Sequence, residues 1–360
     1  MLCYGERAVK KLPTGSIVVG NLPQGCEFCQ RGMKLVLFVT GLCPKRCFYC
    51  PLSQDRRHLD VMFANERKLR RLSEVLDEAY LMDAQGTGIT GGDPLLVLSR
   101  TVKAVQLLKS EFGGEHHIHL YTTGVKINVK SLKELERAGL DEIRFHVYRE
   151  NLNSVVLAVN ELNIDVGVEI PMLPDKVEET IELLRSLDKI RVNFVNINEL
   201  EFTETNALSL LERGYELRPD SLTAAKGSKE AALKVLEWAE ENTSLNVHFC
   251  PAVVKDAYQT RLRLYRRAIN VARHYELVTD EGTIVLAVAL AKNTRIIERV
   301  IEVLKNDGLF EVNWKENRVL FRVDYVDLVL KEVGNNVDVI IQEYMPTPHR
   351  LLVHEERLLE

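Results

Sequence analysis

Long apolar runs are missing from this 360-residue chain. The longest, between residues 35 and 42, falls far short of the roughly 20 residues a membrane-crossing helix needs. The N-terminus has no basic-then-apolar signal pattern, so the expectation is a cytoplasmic protein with no membrane partner. Cysteine is scarce, at 7 residues, and an odd count in a reducing compartment favours ligands or free thiols over a disulfide framework. There is no internal repeat, low-complexity tract or long linker. What is present, 46% hydrophobic residues and a net charge of -5, suffices for one catalytic domain plus a small appendage.

Three of the cysteines crowd into one run, Gly41-Leu42-Cys43-Pro44-Lys45-Arg46-Cys47-Phe48-Tyr49-Cys50-Pro51, directly after a strand-like stretch. Three thiolates on a tight loop can ligate three irons of a cubane 4Fe-4S cluster and leave the fourth iron open to a small chelating molecule. An open metal position is where chemistry happens. A structural zinc site needs four ligands, usually drawn from two pairs, and His58 is the nearby candidate to complete one. The three-residue first gap, the odd ligand number and the aromatic pair Phe48 and Tyr49 argue for the cluster. A second motif, Gly91-Gly92-Asp93-Pro94, follows the short strand Gly88-Ile89-Thr90. Alone it would read as a plain turn, but glycine also lets backbone approach a ligand closely.

Strand-like and helix-like runs alternate along the chain, as in parallel sheet built from βαβ units. Strands are expected over 35–40, 86–90, 117–122, 142–148, 165–170 and 192–200, with a seventh over 246–250. Helices are expected over 66–82, 99–110, 178–187 and 228–241. The fold class is therefore α/β, a partial (β/α)6 barrel open on one side. After Asp280-Glu281-Gly282 the order becomes βαββαβ, a small ferredoxin-like α+β unit without cysteines. The domains expected are an extension over 1–34 that carries Cys26 and Cys29, a barrel over 35–279 and a C-terminal domain over 280–360.

An ordinary barrel of this kind is apolar on both faces of its strands. Here Ile143, Phe145 and Val147 alternate with Arg144, His146 and Tyr148, and each set shares a face. With the apolar set against helices, the polar set lines the lumen, joined by His119, Tyr121, Gly167, Glu169, Asn196, Asn198, His248 and Cys250. Such a lumen must hold polar ligands, because each unsatisfied buried group costs on the order of 1–3 kcal/mol.

The remaining cysteines, Cys3, Cys26, Cys29 and Cys250, number a full tetrahedral set. A second iron-sulfur cluster or a zinc, closed by Cys250 or Cys3, and an N-terminal knuckle with free thiols both fit them. Cys250 on the lumen face also suits a relay or substrate-contacting thiol. A basic stretch, Lys255, Arg261, Arg263, Arg266, Arg267 and Arg273, interleaves with Tyr258 and Tyr265. It reads either as a nucleic-acid contact or as the solvated face of an amphipathic helix.

The Cys-x3-Cys-x-aromatic-Cys run, followed one strand later by Gly-Gly-Asp-Pro, resembles the radical S-adenosylmethionine superfamily. Asn196-Ile197-Asn198-Glu199-Leu200-Glu201-Phe202-Thr203-Glu204-Thr205-Asn206 and His248-Phe249-Cys250-Pro251-Ala252 extend the likeness to archaeal proteins related to the pyruvate formate-lyase activating enzyme. The resemblance implies a 4Fe-4S cluster on Cys43, Cys47 and Cys50 whose open iron is chelated by S-adenosylmethionine. It further implies reductive cleavage to methionine and a 5'-deoxyadenosyl radical, hydrogen abstraction from a substrate, and an electron donor of the flavodoxin or ferredoxin type. Cofactor contacts are expected from Tyr49, Gly91, Gly92, Asp93 (where the family usually carries Glu), Thr122 and Thr123. The lumen residues His146, Glu169, Asn196 and Asn198 are further candidates, and His146, Tyr148 and Cys250 are the candidates for catalysis. Two substrate classes stay open. One is a polar, phosphate-bearing metabolite or RNA, gripped by the basic helix and the C-terminal module. The other is a partner protein, as for a glycyl-radical-enzyme activase.

Overall fold

The structure, a computed structural model, describes residues 8–148 and 152–358; Cys3 lies outside them. They fall into two compact units, one reaching residue 260 and the other running from 261 onward together with 81–83. The sequence pattern changes later, at Asp280-Glu281-Gly282, so the helix Arg261–Val271 goes with the second unit.

The first unit is one 11-stranded sheet. Its strands are β1 (Val9–Lys11), β2 (Ile17–Val19), β3 (Lys34–Phe38), β4 (Met62–Ala64), β5 (Arg67–Leu69), β6 (Gly86–Thr90), β7 (His117–Thr122), β8 (Glu142–Phe145), β9 (Asp165–Met172), β10 (Phe194–Glu199) and β11 (Asn246–Cys250). From β3 through β6, β7, β8, β9 and β10 to β11 every neighbouring pair is parallel, so all seven carboxyl ends open on one face. This is the partial barrel the alternation implies. Hairpins close its two edges, β4 and β5 beside β3 and β1 and β2 beside β11.

The helix expected over 66–82 is a correction: only Val75–Leu81 is α-helical, and Arg67–Leu69 pairs back on Met62–Ala64. The reason is Asn65, which takes φ 50° and turns the chain; asparagine visits the left-handed region more readily than most side chains. Elsewhere local signals hold. The helix Val129–Ala138 starts at an Asn128–Ser131 capping box and stops at Gly139 with φ 102°, as cap chemistry predicts. A short helix, α1 (Gln24–Gln30), packs on β3, β6 and β7 and on the π-helical turn Lys255–Thr260.

The second unit has the expected βαββαβ order. β12 (Leu277–Val278) pairs with β13 (Ile284–Ala291), and a helix Thr294–Leu304 leads to β14 (Phe310–Asn313) and β15 (Arg318–Phe321). A helix Val326–Val333 then leads to β16 (Val337–Tyr344) and β17 (Leu352–Leu358). The sheet order β14-β15-β13-β16-β17 is antiparallel throughout. Both helices cover one face through Ile297, Val300, Val329 and Val333. Among the described residues no helix is long and apolar enough to cross a membrane.

Candidate active site

The cysteine loop leaves the carboxyl end of β3 and is pinned at its base. Arg100 donates to Val39 O at 2.7 Å and forks onto Asp60, which also accepts from Thr40 Oγ1 at 2.9 Å. The turn after β6 then clasps the loop backbone to backbone, Gly92 N to Thr40 O at 2.8 Å and Asp93 N to Leu42 O at 2.7 Å. This explains both glycines: a Cβ at Gly91 or Gly92 would sit 2.2 Å from Thr40 O or Leu42 O. From the other side Asn206 donates to Tyr49 O at 3.0 Å, and Phe48 stacks on Tyr215. Leu200, Phe202 and Leu210 bury Tyr49.

Loop, turn and strand ends enclose one cavity of about 460 Å³. Cys43, Cys47 and Cys50 line it with Tyr49, Gly91, Gly92, Thr122, Thr123, His146, Glu169 and Asn198, so the structure brings together most of the residues expected at the site. Burial pushes the Cys43 and Cys47 thiols above the ordinary range.

Other candidates stand elsewhere. Asp93 is fully buried behind the turn, where it accepts from Leu95 N, Thr122 Oγ1, Thr123 N and Thr123 Oγ1. Its shorter carboxylate positions the two threonines and does not reach the cavity wall. Asn196 stands level with Glu169 on the neighbouring strand but does not line the cavity; it is bonded to Glu169 at 2.9 Å and to Cys26 at 3.2 Å. Tyr148 is 39% exposed and lines a neighbouring concavity with Phe48 and Lys176. Cys250 is buried behind Gln259, which lines the cavity in its place. Among the described residues no group of three or more His, Cys, Asp or Glu side chains, Cys26, Cys29 and Cys250 included, is drawn together to hold a metal ion. That statement covers the motif cysteines too, which share a cavity wall on an irregular loop.

The lumen beneath is a buried ionic plug. Arg144, 2% exposed, donates to Glu142, to Glu169 at 2.8 Å and to Tyr121 Oη at 3.2 Å, between the rings of Tyr121 and Phe194. Burial alone would raise the Glu169 carboxyl, yet Arg144 and the Asn196 and Asn198 amides hold it below the usual range. His146 Nδ1 faces Glu169 O at 3.1 Å, and a carbonyl only accepts, so Nδ1 carries the proton and Nε2 accepts from Tyr49 Oη at 2.9 Å. Burial lowers the His146 pKa, which keeps this neutral tautomer.

Sequence reasoning missed Lys255, Glu201 and Gln259 in the cavity wall. Lys255 pairs with Glu201, and with Gln259 it faces the cavity from the π-helical turn. The signal for Glu201 was its place in the stretch 196–206; Lys255 was hidden in a run of basic residues.

Burial lowers the pKa of His116 to about 4, of His117 to about 3 and of His248 to about 4. Unfolded histidine titrates near 6.5, so from there down to about 4 the unfolded chain binds more protons and stability falls with pH. The melting temperature should drop by several degrees between roughly pH 7 and pH 5. An unchanged melting temperature would show that these imidazoles are not held neutral.

Partial barrel, three-cysteine loop and clasped glycine turn define a radical S-adenosylmethionine protein. The chain matches the Radical SAM superfamily over residues 37–151 and belongs to it. It is 43% identical over 304 residues, 81% of this chain and 80% of the relative, to a Methanocaldococcus jannaschii protein that carries the provisional name of glycyl-radical enzyme activating enzyme. Among solved structures it is similar to Streptococcus suis SuiB, at 11% identity over 65% of this chain and 54% of that one, with TM-score 0.44. Methylornithine synthase is similar at 15% identity over 57% of this chain and 62% of that one, with TM-score 0.40. The chain thus spans about half the length of SuiB. It is a radical SAM enzyme, and its cofactors are a 4Fe-4S cluster and S-adenosylmethionine. The donor set fits: three free thiols on one cavity wall, with the backbone of Gly91 and Gly92 bordering the same cavity.

Proposed function

We propose that this enzyme acts on a partner protein, as an activase that installs a radical on it. When bound, the cluster and S-adenosylmethionine supply a carbon-centred radical that abstracts hydrogen. Cys43, Cys47 and Cys50 would hold the cluster, and Gly91, Gly92, Thr122 and Thr123 would border S-adenosylmethionine, the threonines fixed by Asp93. Neutral His146 orients the Tyr49 ring, and ionised Glu169 with Asn198 offers acceptors and a donor to the nucleoside.

The observation that carries the partner is the rim. Among the described residues of the first unit, every exposed large apolar side chain except Tyr80 and Val156 lies on a segment leaving the carboxyl end of a parallel strand. They include Leu59, Val125, Val253, Leu211, Leu208 at 77% and Leu222 at 95% exposure. Apolar side chains left exposed on the segments that leave one face of the sheet offer a surface to a protein partner. The relative's name agrees. The basic stretch argues less for RNA than its sequence implies: Arg267 is buried, Arg266 binds Met82 O and Asp83, and Arg261 binds Asp280 O.

Reduced enzyme with S-adenosylmethionine should form 5'-deoxyadenosine faster when the macromolecular fraction of a cell extract is added, and a protein-borne radical should appear by electron paramagnetic resonance. Protease should remove the stimulation and ribonuclease should not. Leu208→Asp with Leu222→Asp should weaken stimulation about tenfold, the size of one lost apolar contact, with partner-free cleavage unchanged. Stimulation that follows the small-molecule fraction, or that ribonuclease destroys, overturns the reading.

A further inference from the structure

Two thiols outside the cluster set stand in the lumen floor. α1 presents Cys26 and Cys29 three residues apart, hence on one face. Cys29 lines the same cavity as Cys43, Cys47 and Cys50, beside His119 and Tyr121. Cys26 lies deeper, buried, its Sγ accepting from Asn196 Nδ2. The helix can seat this low because residue 25 is glycine: a Cβ there would stand 2.5 Å from Arg144 Nη2 and 2.8 Å from His119 Nδ1. Both atoms are buried without a hydrogen-bond partner, as is His248 Nε2 behind Asn196. Burial pushes both thiols up, Cys26 far up, so both keep their hydrogen at neutral pH. A thiol S–H is weaker than the C–H of a nucleoside methyl group, and Cys29 shares the chamber in which the radical forms.

We propose that Cys29 gives a hydrogen atom to the 5'-deoxyadenosyl radical when no substrate fills the lumen, and that Cys26 closes the resulting thiyl into a disulfide. In the first step the S–H bond of Cys29 breaks and a C5'–H bond forms. In the second the sulfurs join, Cys26 releases a proton, and the electron left on the pair returns to the oxidised cluster. The sum is one S-adenosylmethionine and two thiols giving methionine, 5'-deoxyadenosine, one disulfide and one proton, with no net electron drawn from the donor. Helical neighbours three apart hold their Cβ atoms about 5–6 Å apart, wider than the roughly 3.8 Å of a disulfide, so the 7-residue α1 must loosen its last turn. The device stops after a single idle turnover and spares the cavity wall from radical attack.

The test needs no partner, so its failure leaves the activase reading untouched. Full-length protein is reconstituted anaerobically, reduced with dithionite, moved into D2O and given S-adenosylmethionine alone. Because S–H exchanges with solvent and C–H does not, the 5'-deoxyadenosine should gain one deuterium. A Cys26–Cys29 disulfide should appear in equal amount by differential alkylation and peptide mass spectrometry. Cys29→Ser should give unlabelled nucleoside and no disulfide, and Cys26→Ser should keep the label without the disulfide. Tyr121→Phe removes one of the two phenolic hydrogens on the wall, Tyr49 bearing the other, and should keep both the label and the disulfide. Unlabelled nucleoside from the unaltered protein, or a label that survives Cys29→Ser or vanishes in Tyr121→Phe, overturns the proposal. The unaltered protein alone can decide against it, whatever the variants do.

Discussion

Cys47→Ala lowers 5'-deoxyadenosine formation by more than about 100-fold, beyond the loss usual when an outer-shell partner of a metal is removed. Iron and labile sulfide per chain should fall with it. The reason lies in the donor count. Cys43, Cys47 and Cys50 share one cavity wall, and among the described residues the further cysteine of the cavity, Cys29, comes from α1 and not from the loop. A two-thiolate loop cannot hold a cubane whose open corner is already without a protein ligand. Cys250→Ala is the control, because Cys250 sits behind Gln259 and off the wall; it should keep its iron. Equal iron and equal 5'-deoxyadenosine in Cys47→Ala and the unaltered protein would remove the loop from the chemistry.

Arg144→Met should be the most destabilising change in the lumen. It leaves Glu142, fully buried, and Glu169 facing each other without their shared cation. Breaking a buried pair by removing one partner costs about 3–5 kcal/mol, a large part of the stability of an ordinary domain. Arg144→Lys should rescue little, because a point charge cannot reproduce a guanidinium fork reaching two carboxylates and the Tyr121 hydroxyl. Urea unfolding of the cluster-free protein measures the loss. Adding Glu142→Gln to Arg144→Met should recover part of it, since one stranded charge is then gone. A midpoint unmoved by Arg144→Met would mean that the plug contributes nothing net.

Much of the site was legible because its signals are local. The Cys43, Cys47 and Cys50 spacing is a property of one loop, and the alternation of Arg144 and His146 with Ile143 and Phe145 needs only the period of a strand. Tyr148 failed that logic because the ladder ends at Phe145 and the chain leaves the pleat. Asp93 was read as a ligand contact because its motif is usually judged by the ligand. Its partners Thr122 and Thr123 lie a whole βαβ crossover away. The helix expected over 66–82 lost its first turns to a hairpin that one asparagine sets in motion.

Composition and spacing alone determined that this chain builds a parallel partial barrel, carries three thiols on the loop after its first parallel strand and ends in a βαββαβ unit. Those features are written in intervals of two to four residues, or in the order of elements. Only the tertiary structure decided which of the polar lumen residues reach the cavity and which are consumed below it. It also decided that Lys255 meets Glu201 and that Cys29 faces the chamber. Each of these joins residues remote in the chain through strand register and the common direction of seven strands. A register is fixed by the packing of the whole sheet, and no single stretch of sequence holds it.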